Sequence, residues 1–150
     1  MLKILDLKAF LDETKQAIPE ITHVKLLSSD DRFARIAGTL KSEDFLLIGL
    51  LPSAKPKSGN EDLTTYKNTT AFMIVKKFDS RAGNEHYLDT FITTQTLIMK
   101  FEKRIRFLKS DVDSKCTLID FQLQTLSILP VENYHHTNGW DLSVIAESKS

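Results

Sequence analysis

Two adjacent histidines, His135 and His136, together with His86, are the first residues whose type could do chemistry. A metal centre needs ligands converging from fixed elements, such as histidines one helical turn apart or two strands with a carboxylate. The chain contains no HxH or HxxxH spacing, and neighbouring residues on a turn point apart, so the pair reads as a polar hairpin loop. Asp111, Asp113 and Asp120 invite an acid/base reading, but such a pair needs one carboxyl buried to raise its pKa. Asp111 and Asp113 instead sit in a Ser-Asp-Val-Asp-Ser turn, where acids cap and solvate. Cys116 follows a helix C-terminus, whose dipole disfavours a thiolate, and reads as a small, partly buried apolar residue. The five glycines form neither GxGxxG nor GxxxxGK, so nucleotide binding has no motif to rest on. The chain therefore reads as a non-enzyme, with no catalytic residue, no metal ligand and no cofactor.

The run from Lys100 to Lys109 interleaves Lys103, Arg104 and Arg106 with Phe101, Ile105 and Phe107 and could touch a nucleic acid. Cations near a helix C-terminus are favoured by the macrodipole, however, and the apolar residues keep core spacing. Twenty basic residues balance twenty acidic ones, which also disfavours a protein built to grip phosphates. At 150 residues and 41% hydrophobic, the chain fits one domain, and a domain of this size buries about 70% of its unfolded surface. The single cysteine excludes an internal disulfide and a multi-cysteine zinc site. No stretch approaches the ~20 apolar residues of a membrane span. The N-terminus lacks a secretory pattern, so a cytoplasmic location is expected.

The elements that would position these residues begin with a helix. Leu7, Phe10, Leu11, Thr14, Ala17 and Ile18 form one 3.6-residue stripe, with Asp6 at the N-cap position and Pro19 as the stop. A run of strands follows: Thr22–Leu27, a turn at Ser28–Asp31, an ambiguous Phe33–Leu40, and the nearly all-apolar Phe45–Leu51, which reads as covered on both faces. Residues 52–68 have no periodicity and read as one long loop, mobile or binding. Thr69–Phe78 is a central strand, and Glu85 to about Lys109 a long helix with Leu88, Phe91, Ile92, Gln95, Ile98 and Met99 on its stripe. Thr117–Leu129 is a strand whose apolar phase slips from odd to even numbers, as at a bulge. A turn region at Pro130–Asn138, a strand from Trp140 to Val144 and a frayed tail at Glu147–Ser150 complete the reading. The sum is a single α+β domain over residues 1–150. Its mainly antiparallel, mixed sheet is packed by the N-terminal helix and the long central helix.

This element order, with the closing strand Asn138-Gly139-Trp140-Asp141-Leu142-Ser143-Val144, resembles small structural proteins of phage and prophage tails and necks, of the tail terminator and tail completion kind. The resemblance implies a non-enzymatic assembly subunit, a homo-oligomeric ring that meets other tail or neck proteins, and a place in a virion or virion-like particle. No catalytic residue carries over. The candidate interface is then Lys55, Lys57, Asn60 and Tyr66 of the 52–68 segment, with Trp140 as an anchor. The alternative is a small-ligand-binding domain, or an enzyme of the same class, with a pocket between the long helix and the sheet.

Overall fold

The computed structural model of the protein describes residues 1–57, 65–110 and 120–149. Its elements are α1 (Ile4–Ala17), β1 (His23–Leu27), α2 (Asp30–Thr39), β2 (Phe45–Leu50), β3 (Ser53–Pro56), β4 (Thr65–Lys77), α3 (Asn84–Ser110), β5 (Asp120–Tyr134) and β6 (Thr137–Lys149). The strands form one six-stranded sheet in the order β1-β2-β4-β6-β5, with β3 also paired to β4. Only β1 and β2 run parallel; every other pairing is antiparallel, so the α+β reading holds.

The helices divide between the two faces. On one face α1 and α3 bury Leu7, Phe10, Ile98 and Phe101 against Phe72, Ile74 and Leu142. At the centre four phenylalanine rings meet, with Phe72 5.2 Å from Phe101 and 5.9 Å from Phe10, and Phe10 5.6 Å from Phe121. On the other face α2 covers Leu46, Ile48 and Val75 with Phe33, Ala37 and Leu40. β2 therefore lies between two apolar layers, as its unbroken hydrophobic run requires.

The Phe33–Leu40 segment is helix, not strand. Phe33, Ile36, Ala37 and Leu40 are spaced i, i+3, i+4 and i+7, and this period prevails over the weak alternation. Ser28–Asp31 is accordingly the helix entry: Ser29 is extended at the N-cap, and Asp30 and Asp31 place negative charge at the positive end of the dipole. Gly38 lies inside this helix with open space where a Cβ would stand. Gly38→Ala is expected to stabilise the protein by up to about 1 kcal/mol, read from a urea midpoint, because alanine loses less backbone freedom on helix formation.

α1 begins before Asp6, at Ile4, and Asp6 falls in its first turn. The described ends of the loose 52–68 segment are strand, while residues 58–64 lie outside the described residues. β3 and the first residues of β4 pair in register, Ser53 with Thr69 through Pro56 with Tyr66, and the Lys57 amide donates to the Thr65 carbonyl at 2.7 Å. These strands carry no alternation because their hydrogen bonds hold polar residues in place. The turn region at 130–138 shrinks to a two-residue hairpin loop, His135 and His136, at φ 48° and 61°. Positive φ at both positions is what a tight hairpin demands, although Asn-Gly is its usual sequence. The supposed tail at 147–149 is the end of β6, with Glu147 paired to Lys67 on one side and Asp120 on the other. The predicted phase slip in β5 is a register shift between Gln122 and Ser127. It lets Phe121 and Ile128, of opposite parity, both pack into the α1–α3 core.

Candidate interaction surface

The predicted interface residues separate into two places. Lys55 and Lys57 are exposed at β3 and just beyond it, and half-buried Tyr66 opens β4 opposite Pro56. Trp140 is opposite Ile74, eight residues along β6 from Ser148, the partner of Tyr66. At ~3.4 Å per residue that separation is roughly 27 Å. Its indole N–H donates to the Phe91 carbonyl of α3 at 3.1 Å, and the ring meets Phe91 edge-on, so Trp140 anchors α3 to the sheet. Asn60, Asp111, Asp113 and Cys116 lie outside the described residues.

What the strands assemble instead is a bare stretch of sheet. α2 covers β1, β2 and the end of β4; of β5 and β6, only Tyr134 packs against the cluster beneath it. The rest of that face forms four rows across the strands. The first is Lys55, Lys67, Glu147 and Asp120; the second is Ser53, Thr69, Ile145 and Gln122. Ala71, Ser143 and Ser127 follow, and then Met73, Asp141 and Leu129. Most of the charge is thus gathered at one end of the face; at the other, Leu129 is 57% exposed beside Asp141, and Met73 packs against the cluster under α2. β5 borders it as a fifteen-residue edge strand, and an edge strand presents unpaired backbone groups to a neighbour.

Electrostatics differ along the rows. Glu147 accepts from the Lys57 ammonium at 2.6 Å, and this bond, with Gln122 and the charges of Lys57 and Lys67, holds its carboxyl below the usual range. Asp141 is the opposite case. Its Oδ1 is buried without a hydrogen-bond partner among the described residues, and burial pushes its pKa up. A carboxyl whose folded pKa is raised penalises the folded state once ionised, and the penalty fades as pH falls. Asp141→Asn is therefore expected to raise the thermal midpoint at neutral pH. The advantage disappears below the ordinary carboxyl value of 3.8, where both states of the wild type are protonated. Equal midpoints at neutral pH would contradict this.

The paired histidines have a structural task. His135 Nε2 is 3.0 Å from Asp30 Oδ1 at the start of α2, and the Tyr134 hydroxyl donates to the same carboxylate. Both rings pack on Phe33. The bond to Asp30 pushes the Tyr134 hydroxyl up to about 12, and Asp30 is held below its usual value by Tyr134 and then His135. The β5–β6 hairpin is thereby clipped to α2. This arrangement was hidden in the sequence because its members are a hundred residues apart; the Asp-rich helix entry was its only local signal.

The space between α3 and the sheet is filled by Phe72, Phe101, Ile98 and Ile105. A cleft of about 480 Å³ lies instead within the helical layer, between the end of α1 and α3, lined by Ile18, Pro19, Lys103 and Phe107 among others. Among the described residues, no group of three or more His, Cys, Asp or Glu could hold a metal ion. Among the described residues, no helix is long and apolar enough to cross a membrane. No protein-family model matches the chain, and no curated protein matches it significantly.

Proposed function

We propose that this chain is a non-enzymatic structural subunit that assembles with copies of itself, in a ring of the kind found in phage-derived tails and necks. The observation that carries the reading is the bare half of the sheet, bordered by the long β5 edge and ending at exposed Leu129 beside the Asp141 carboxyl, where Met73 packs against the cluster under α2. An antiparallel sheet can leave one face to water, but here that face holds Ala71, Ile145 and Leu129 beside a desolvated carboxylate. A neighbouring subunit that covers it gains apolar burial and can offer Asp141 a donor. We take the contact to join unlike surfaces of two copies, an arrangement that gives a ring when its rotation closes. The sequence's resemblance to tail terminator and tail completion proteins supports the same role, in a virion or virion-like particle, with other tail or neck proteins as further partners.

Ala71 stands in the middle of this face and is half-buried, so Ala71→Arg places a charge in the proposed contact while leaving both cores intact. The expected result in analytical ultracentrifugation is a large species for the wild type and loss of that species in the variant, with little change in thermal midpoint. A wild-type chain that sediments as a single subunit at all concentrations overturns the reading.

A further inference from the structure

Lys100, Lys103, Arg104 and Phe107 of α3 are spaced i, i+3, i+4 and i+7, so they share one stripe of the helix. All four line the cleft of about 480 Å³ at the end of α1, a volume within the ~300–1,000 Å³ of small-molecule sites. Ile18 and Pro19 line it from the end of α1 and the turn that follows. With Phe107, which is 62% exposed, they make its walls apolar. The cations and aromatics of this run are therefore brought together on one concave surface.

Arg104 is the fixed member of the stripe. Only 17% of its side chain is exposed, and its Nε donates to Thr14 Oγ1 at 3.1 Å. Thr14 is fully buried and donates in turn to the Phe10 carbonyl at 2.7 Å, which holds the guanidinium in place. The terminal nitrogens of Arg104 have no hydrogen bond among the described residues, and the Glu13 carboxylate, 3.9 Å away, is beyond hydrogen-bond reach. Lys100 donates to Glu20, and Lys103 makes no ion pair among the described residues. One ammonium and the open edge of one guanidinium thus border an apolar wall, beside a Lys100–Glu20 pair that neutralises itself. From this arrangement, we infer that the cleft binds a small organic monocarboxylate with an apolar body. Arginine's planar fork matches the two oxygens of a carboxylate, and Lys103 adds a second positive charge. A phosphate dianion would bring an extra negative charge close to Glu13 and Glu20, so a singly charged anion fits the local balance better. The apolar body lies along Ile18, Pro19 and Phe107. The site is independent of the proposed ring, because α1 and α3 cover the opposite side of the sheet from the bare face.

Calorimetric titration of the full chain with octanoate, 1-octanol and octylammonium tests the site. Octanoate is expected to bind once per chain, at least about tenfold more tightly than octanol, the difference one charge-assisted hydrogen bond makes. Octylammonium should give no saturable heat. Arg104→Met keeps the aliphatic stem and is expected to weaken octanoate by about tenfold or more while leaving octanol unchanged. Phe107→Ser is expected to weaken both ligands by about fivefold or more through lost apolar contact. Its exposed position keeps the thermal midpoint unchanged, so this variant tests the site even if Arg104→Met loses stability. Three results overturn the inference: no saturable octanoate binding up to millimolar concentration, equal affinity for octanoate and octanol, or an octanoate affinity that either folded variant leaves unchanged. Ala71→Arg, which tests the ring, leaves octanoate binding intact, so the two readings fail separately.

Discussion

Gly139→Ala is expected to abolish or nearly abolish folding, at a cost of at least ~4–5 kcal/mol, the range reached only by severe steric or core defects. Gly139 lies in β6 opposite Val75, in the interior of the sheet. A Cβ built there would stand 2.0 Å from the Ile74 carbonyl oxygen and 2.8 Å from the Val75 Cα. Both are backbone atoms of a paired strand, so no side chain can swing aside to make room. Relief would require β4 and β6 to separate, breaking a ladder that runs from Thr65 and Lys149 to Lys77 and Thr137. Trp140, the next residue, would carry its bond to the Phe91 carbonyl away with it. The measurement is soluble yield and urea denaturation beside Gly38→Ala, a glycine with free space. A Gly139→Ala protein as stable as wild type would mean that the close approach of β4 and β6 is not obligatory.

The second large effect is expected at Phe72. Its ring is fully buried and touches Phe10, Phe101 and Phe121, the contributions of α1, α3 and β5 to one cluster. Phe72→Ala should destabilise the protein by about 3–5 kcal/mol, combining lost transfer free energy with the cavity left behind. Against a typical total of ~5–15 kcal/mol, that leaves a protein close to its unfolding threshold. Leu129→Ala, on the exposed edge strand, should change stability by less than about 0.5 kcal/mol in the same urea series. Comparable losses at the two positions would show that the four-ring cluster is not the centre of the core.

The elements most legible in the sequence are those whose side chains repeat a burial pattern over several turns or residues. α1 shows its stripe, and Leu7, Phe10, Leu11, Thr14 and Ile18 are indeed buried, while Ala17 is exposed just before the helix ends. β2 shows its double coverage, and β5 its change of phase. α2 was obscured because ten residues hold fewer than three turns, too few for a helical period to outweigh chance alternation. β3, the start of β4 and the end of β6 were obscured for another reason: they are held by backbone pairing, and Lys55, Lys67 and Glu147 give no apolar signal. α3 misled at its N-terminal half, where threonines take the buried side and Leu88 and Ile92 face outward. Of the predicted interface, Lys55, Lys57 and Tyr66 fall at one end of the sheet, whereas Trp140 is committed to internal packing. The bare face itself has no linear signature, because its rows are composed across four strands and appear only once the register is known.

The most direct test of the assembly reading is the solution mass of the wild-type chain by light scattering over a concentration series, with negative-stain images of any large species. The account predicts a mass several times the 17.1 kDa of one chain and ring-shaped particles. A mass that stays at one chain throughout would contradict it.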